Sequence, residues 1–151
     1  MRLLIQRVQY ANVTVKDETI GSIKKGFLVF IGISNTDTKE VADKMLRKLL
    51  NLRLFEDENG KTNLDINQVD GEVLLVSQFT LYADCKKGNR PSFIKAGTPN
   101  EANELYQYMI EQCTKELPNK TACGSFGADM KISLLNDGPF TVMLDSDEIF
   151  T

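Results

Sequence analysis

Two stretches of this chain place no polar side chain on either face of an extended backbone: GFLVFIGI at residues 26–33 and VLLV at residues 73–76. A strand facing water on one side alternates apolar with polar residues, whereas an unbroken aliphatic run needs cover on both faces. Each run therefore reads as a buried central strand. The second passes directly into SQFTLYAD, residues 77–84, so polar Ser77, Gln78 and Thr80 stand beside Phe79, expected to be buried, at the end of the most apolar segment. That juxtaposition is a candidate pocket or an ordinary strand end whose polar groups are satisfied by loops.

The remaining pattern supplies elements to cover these strands. Leu3, Ile5 and Val8 predict a first strand, and Val13 and Val15, alternating with polar residues, a second. Asp37 or Thr38 can cap a helix whose apolar stripe runs through Val41, Met45, Leu49 and Leu52. Asp57, Glu58, Asn59 and Gly60 form a turn, and residues 61–70 read as loop. Thr98-Pro99-Asn100-Glu101 has capping-box spacing with proline at the first helical position, so a second long helix starts there, with Ala102, Leu105, Tyr106, Met109 and Cys113 on one face and Pro118 as its stop. Met130, Ile132 and Leu134, then Val142 and Leu144, predict two closing strands. Strands grouped in this way, with only two long helices, predict an α/β single domain over residues 1–151: two packed β-sheets, barrel-like, with both helices on one side.

The chemistry available is restricted. The chain has no histidine, which removes the usual general base, the usual activator of serine or cysteine, and the commonest zinc ligand. Cys85, Cys113 and Cys123 lack C-x-x-C spacing and are expected to be free thiols. A chain of 151 residues buries roughly two-thirds of its unfolded surface, so no disulfide or metal is needed to hold it. No apolar run reaches membrane-spanning length, and Arg7 interrupts what would be the core of a signal peptide, which points to the cytosol and away from a membrane. The net charge of −3 argues against general duplex binding. Locally, Lys86, Lys87 and Arg90 make the densest basic cluster, either a solvated loop or a phosphate contact.

Asn136-Asp137-Gly138-Pro139 separates the last two apolar runs. Asp-Gly there normally signals a tight hairpin, but Pro139 cannot donate to a ladder and restricts Gly138. Since cis X–Pro bonds make up only about 5–6% of those in folded proteins, the local expectation is a trans turn, with the Gly138 and Pro139 carbonyls turned away from the sheet.

SQFTLYAD and NDGPFT, residues 136–141, together resemble the two signature motifs of the D-aminoacyl-tRNA deacylases. RVQYANVTV, NLRLFEDENGKTNL, KKGNRPSF and FGADM extend the similarity over nearly the whole chain. Phe140 stands where the family usually has valine, and Thr62 where methionine is common. The resemblance implies a homodimer with active sites at the subunit interface, each subunit inserting Gly138 and Pro139, joined by a cis bond, into its partner's pocket. Their carbonyls would exclude an L side chain, while D-amino acids and glycine, including glycine mischarged on tRNA-Ala, are accepted. It also implies hydrolysis of the aminoacyl ester with the 2′-hydroxyl of the terminal adenosine taking part and amides of the SQFT turn polarising the carbonyl, so that Gln78, Phe79 and Thr80 act mainly through the backbone. Ser77 lines the pocket, Met130 lies against adenine, Phe126 is a supporting wall, and Arg7 holds the Gly-Pro turn. Lys86, Lys87 and Arg90 would meet tRNA phosphates. No metal or organic cofactor is implied.

Three alternatives stand beside this. Thr80 or Cys85 as a covalent nucleophile needs a base such as Asp84 or Lys86. A non-catalytic RNA-binding module would bind tRNA without releasing an amino acid. A sister deacylase with a trans Gly-Pro would tolerate L-amino acids.

Overall fold

The computed structural model describes residues 1–150. Eight strands and two long helices follow one another as β1 (Arg2–Val15), β2 (Glu18–Ile23), β3 (Gly26–Gly32), α1 (Lys39–Leu50), β4 (Phe55–Glu56), β5 (Thr62–Leu64), β6 (Glu72–Ser77), α2 (Pro99–Glu116), β7 (Thr121–Cys123) and β8 (Lys131–Asp145), closed by a short α3 (Ser146–Ile149). A 3-10 turn, Phe79–Tyr82, follows β6. Six strands form one sheet in the order β2-β1-β3-β6-β7, with β8 on the other edge of β1. The sheet curls until β2 and β7 nearly meet: a Cβ on Gly21 would lie 2.7 Å from the Cys123 carbonyl oxygen. The result is the expected α/β, barrel-like architecture.

The apolar runs dictate this arrangement. In β6, Val73 and Leu75 join a core shared with Ala42, Met45 and Leu49 of α1 and Tyr106 and Met109 of α2. Leu74 and Val76 point the other way, into a second core with Val8, Val13 and Leu28. β3 and β6 run parallel, as do β6 and β7. Parallel neighbours need crossovers, and α1 and α2 supply them, covering the same side of the sheet.

Several local expectations change. The first two predicted strands are one 14-residue strand, because its two halves keep β8 as a common partner while exchanging β3 for β2 on the opposite edge. α1 ends at Leu50, short of Leu52, where the Asn51 side-chain amide donates to the Arg47 carbonyl at 2.7 Å. Thr38, rather than Asp37, caps its start, accepting from the Val41 N–H. The expected loop at residues 61–70 contributes β5, which pairs with β4 across the Asp57 turn. The Thr98 hydroxyl bonds the Glu101 carboxylate at 2.8 Å instead of a backbone N–H. All three cysteines are free thiols.

The largest revision concerns residues 130–145. The two predicted closing strands are one: β8 runs antiparallel to β1 from Lys131 opposite Thr14 to Asp145 opposite Arg2, and Pro139 disfavours the hairpin as expected. Between the pairs Gln6–Thr141 and Val8–Asn136, β1 has Arg7 alone whereas β8 has residues 137–140. Gly138 and Pro139 therefore form an outward bulge in a continuous strand. The peptide between them is cis, as the family resemblance implies, and not trans as local preference alone predicts.

Candidate active site

The apolar core brings β6 to the surface at Ser77, and the chain turns at once into the 3-10 helix. Three contacts fix that turn. The Gln78 N–H donates to the Ile31 carbonyl at 2.8 Å. Gly32 lets the turn lie close, since a Cβ there would come within 2.8 Å of Leu81 Cβ. Arg2 donates from a terminal nitrogen to the Leu81 carbonyl at 2.8 Å while its Nε holds Asp145 at 2.7 Å. The first bond of the turn runs from Leu81 N–H to the Gln78 carbonyl. The Phe79 and Thr80 N–H groups precede it and, as at any helix start, have no acceptor within the turn.

Ser77, Gln78, Phe79, Phe126, Met130 and Ile132 line a groove of about 330 Å³ beside this turn. Phe126 packs against Tyr106 with ring centroids 6.0 Å apart. Behind the groove, the buried Tyr106 hydroxyl donates to the carbonyls of Leu75 at 2.8 Å and Gly124 at 3.3 Å, tying the end of β6 to the Phe126 wall. Gly124 leaves room for Met130, whose Sδ would lie 2.6 Å from any Cβ there. Phe79, expected to be buried, is 55% exposed, because the strand ends before it and the 3-10 turn swings its ring outward. The Thr80 hydroxyl accepts from Gln78 Nε2.

Among the groove's lining residues the only titratable side chain is Asp129, and at the exposed rim its carboxylate pairs with Lys131 at 2.9 Å. Elsewhere, burial pushes the hydroxyls of Tyr82 and Tyr106 and the thiols of Cys113 and Cys123 above their ordinary pKa values. None of these is a general base facing the groove.

The structure thus gathers Ser77, Gln78, Phe79, Phe126 and Met130, with Thr80 adjoining. Arg7, Gly138 and Pro139 form a separate cluster. The Arg7 side chain is buried and donates from Nε to the Asp137 carbonyl at 3.1 Å and from a terminal nitrogen to the Leu54 carbonyl at 2.6 Å. Its guanidinium lies 4.7 Å from the centre of the Phe140 ring. The Asn136 side-chain amide closes the bulge, donating to the carbonyls of Arg7 and Phe140. Gly138 has φ +120° and faces Arg7 so closely that a Cβ would lie 2.7 Å from its nitrogen, a position that favours glycine. Lys86, Lys87 and Arg90 are exposed on the loop after the turn. Sequence reasoning missed Arg2, Asn136 and the structural role of Tyr106; only the hydrogen-bonding capacity of each, at positions otherwise apolar or in a turn, marked them.

A family model described as D-Tyr-tRNA(Tyr) deacylase matches residues 4–145. The chain belongs to this deacylase family. A D-aminoacyl-tRNA deacylase of Clostridium novyi is 53% identical over 150 residues, covering 99% of this chain and all of the relative. One of Haemophilus influenzae is 55% identical over 145 residues, covering 96% and 99%. Of the solved structures, one described as a c-Myc DNA unwinding element binding protein superposes with TM-score 0.92 at 42% identity, covering 96% of this chain and 98% of its own. A probable eukaryotic D-amino acid tRNA deacylase, at 17% identity and TM-score 0.84 with 95% and 97% coverage, shares the fold. Membership carries the family's general activity, deacylation of D-aminoacyl-tRNA, and makes the chain an enzyme.

Proposed function

We propose that the enzyme proofreads chirality in a groove completed by a second copy of the chain. The Ser77 groove takes the esterified 3′-adenosine, with Met130 and Phe126 against the base and the aminoacyl group beside Phe79. Gly138 and Pro139 of the partner enter from the opposite side, and their carbonyl oxygens stand where an L side chain would project. A D side chain points to solvent and glycine has nothing to exclude, so glycyl-tRNA, including glycine mischarged on tRNA-Ala, is hydrolysed as well. Selection works by making the wrong substrate clash.

One observation carries this reading: Gly138 and Pro139 are exposed on a bulge held by Arg7, while no residue from 136 to 140 lines the groove of the same chain. An exposed Gly-Pro bulge held from beneath by Arg7 and an open groove lacking such a wall are complementary halves, and two-fold symmetry would join them twice.

In the hydrolysis, water adds to the acyl carbon, the bond to the ribose oxygen breaks, and that oxygen takes a proton. With no histidine in the chain, the vicinal 2′-hydroxyl of the RNA assists proton transfer. The N–H groups of Phe79 and Thr80 stabilise the developing oxyanion, a contribution of about 3–4 kcal/mol per donor in comparable sites. Gln78 and Thr80 steady the turn through their mutual hydrogen bond. Lys86, Lys87 and Arg90 meet tRNA phosphates, no metal or organic cofactor enters, and the reaction takes place in the cytoplasm.

Deacylation of D-tyrosyl-, L-tyrosyl- and glycyl-tRNA side by side, with the mass of the particle in solution measured in the same buffer, tests the proposal. Rapid release from the D and glycyl esters by a dimer is expected. Equal hydrolysis of the L ester, or an editing monomer, would overturn it. The similarity to a DNA unwinding element binding protein favours a second reading, nucleic-acid binding without turnover, which predicts tRNA affinity and no amino acid released.

A further inference from the structure

We propose that a basic cleft on the far side of the 3-10 turn receives the phosphates of the single-stranded tRNA 3′ end just upstream of the esterified adenosine, with Phe93 as a stacking platform between groove and cleft. This rests on the assignment of the groove to the terminal adenosine and extends the contact to Arg2, Lys95 and Phe93.

The cleft, about 400 Å³, is lined by Arg2, Tyr82, Asp84, Cys85, Lys86 and Lys95 among others. Lys86 and Lys95 are exposed, and among the described residues neither ammonium belongs to an ion pair. The one carboxylate on the lining, Asp84, accepts the Lys86 backbone N–H at 3.0 Å. Arg2 commits Nε to Asp145 and one terminal nitrogen to Leu81, leaving its other terminal nitrogen for a ligand. With Arg2 paired to Asp145 and Asp84 set against the two lysines, the cleft keeps one net positive charge and several free N–H donors, a combination that fits a singly charged phosphodiester.

The cleft is built rather than a chance meeting of mobile lysines. Asp84 and Ser92 exchange backbone hydrogen bonds at 2.8 and 2.9 Å, pinning the base of the loop that bears Lys86. Asn35 N–H donates to the Lys95 carbonyl at 3.1 Å and Gly97 N–H to the Ile33 carbonyl at 2.9 Å, pinning the other flank. Groove and cleft share the 3-10 turn as a common wall, with Phe79 on one and Tyr82 on the other. At about 2 Å rise per residue the turn separates them by roughly 6–8 Å, a gap that one to two nucleotides of extended strand bridge. Phe93 adjoins both: its ring is edge-on to Phe79 of the groove with centroids 5.0 Å apart, and in sequence it sits between Ser92, paired with Asp84 of the cleft, and Lys95. It is 37% exposed and followed by Ile94 at 85%. Exposed aromatic surface flanked by cations is the means by which proteins hold single-stranded nucleic acid irrespective of sequence, which suits a 3′ end common to all tRNAs.

The Lys86→Ala/Lys95→Ala double variant tests this by two readouts. For binding of uncharged tRNA, Kd is expected to rise about ten-fold at low salt, and the slope of log K against log salt to flatten by about one to two. For turnover, KM for D-tyrosyl-tRNA rises with kcat little changed, whereas hydrolysis of D-tyrosyl-adenosine, which lacks the upstream phosphates, is unaltered. Phe93→Ala raises the tRNA KM and Phe93→Tyr restores it. An unchanged Kd and salt slope, an equal loss on D-tyrosyl-adenosine, or a change in oligomeric state in place of tRNA affinity would overturn the proposal. Failure of the wild type to hydrolyse either ester would sink the deacylation reading instead, and the tRNA-binding readout would still decide the cleft.

Discussion

Arg7 stands alone on β1 opposite four residues of β8, and its Nε donates to the Asp137 carbonyl at 3.1 Å. One buried guanidinium therefore fills the gap that the Gly138-Pro139 bulge opens in the sheet and anchors it to the Leu54 carbonyl beneath. Removing it leaves two carbonyls without donors. Arg7→Ala is expected to lower unfolding free energy by about 2–4 kcal/mol in urea titrations and to raise the L/D ratio of deacylation rates as the bulge loosens. Arg7→Lys, a point donor that reaches only one of the two carbonyls, falls between. Loss of stability with an unchanged L/D ratio would separate the clamp from chiral selection.

Gly32 controls the position of the 3-10 turn from the neighbouring strand. A Cβ there would lie 2.8 Å from Leu81 Cβ and 3.3 Å from the Gln78 carbonyl, so Gly32→Ala pushes the turn off β3. A displacement of this kind is expected to cost about ten- to a hundred-fold in kcat with a smaller change in tRNA affinity. Retention of full kcat would mean that the amides of Phe79 and Thr80 do not touch the reacting carbonyl.

The Thr80 hydroxyl beside the groove and the exposed Cys85 thiol in the cleft beyond the turn are the two candidate covalent nucleophiles. If backbone donors and the RNA do the chemistry, Cys85→Ala keeps full turnover and Thr80→Ala loses about ten-fold or less, the scale of a disturbed turn. Removal of a covalent nucleophile would cost about 10⁶-fold. Single-turnover rates with saturating enzyme distinguish the two.

Acid stability has an identifiable source. Burial raises the pKa of the Asp145 carboxyl, but the hydrogen bond from Arg2, then that from the Asp147 N–H, outweigh it and hold the group below its ordinary value. The folded state therefore binds this proton less readily than the unfolded chain. The resulting stability is present above the unfolded pKa of about 4 and is lost as pH falls through the lower folded value. Asp145→Asn is expected to cost about 1 kcal/mol at pH 7 and to flatten the dependence of Tm on pH below pH 4. Because Arg2 also holds the Leu81 carbonyl, kcat falls in the same variant.

Much of this was legible in the chain itself. The doubly apolar runs at β3 and β6 announced two covered strands, the stripe from Val41 to Leu49 announced α1, and Pro99 marked the start of α2. The groove residues were legible as motifs, since SQFT and FGADM carry the residues that meet there. Phe79 misled because an aromatic after an aliphatic strand is usually buried; the 3-10 turn that exposes it depends on Gly32 and Arg2, neither adjacent in sequence. The separation of Gly138 and Pro139 from the groove of their own chain was implied by the family resemblance and by no local pattern of residues.

By itself, then, the sequence determined which segments are apolar on one face or two, where helices begin, that imidazole chemistry is excluded, and which family motifs occur in which order. These are local properties, written in spacing and residue type. Only the tertiary structure decided that β1 is a single ribbon, that β8 runs through its Gly-Pro bulge without a hairpin, and that Arg7 closes the gap. Those outcomes depend on the register between residues some 130 positions apart in Arg7 and Asp137, and register is fixed by the cooperative burial of both strands, to which no short window of sequence has access.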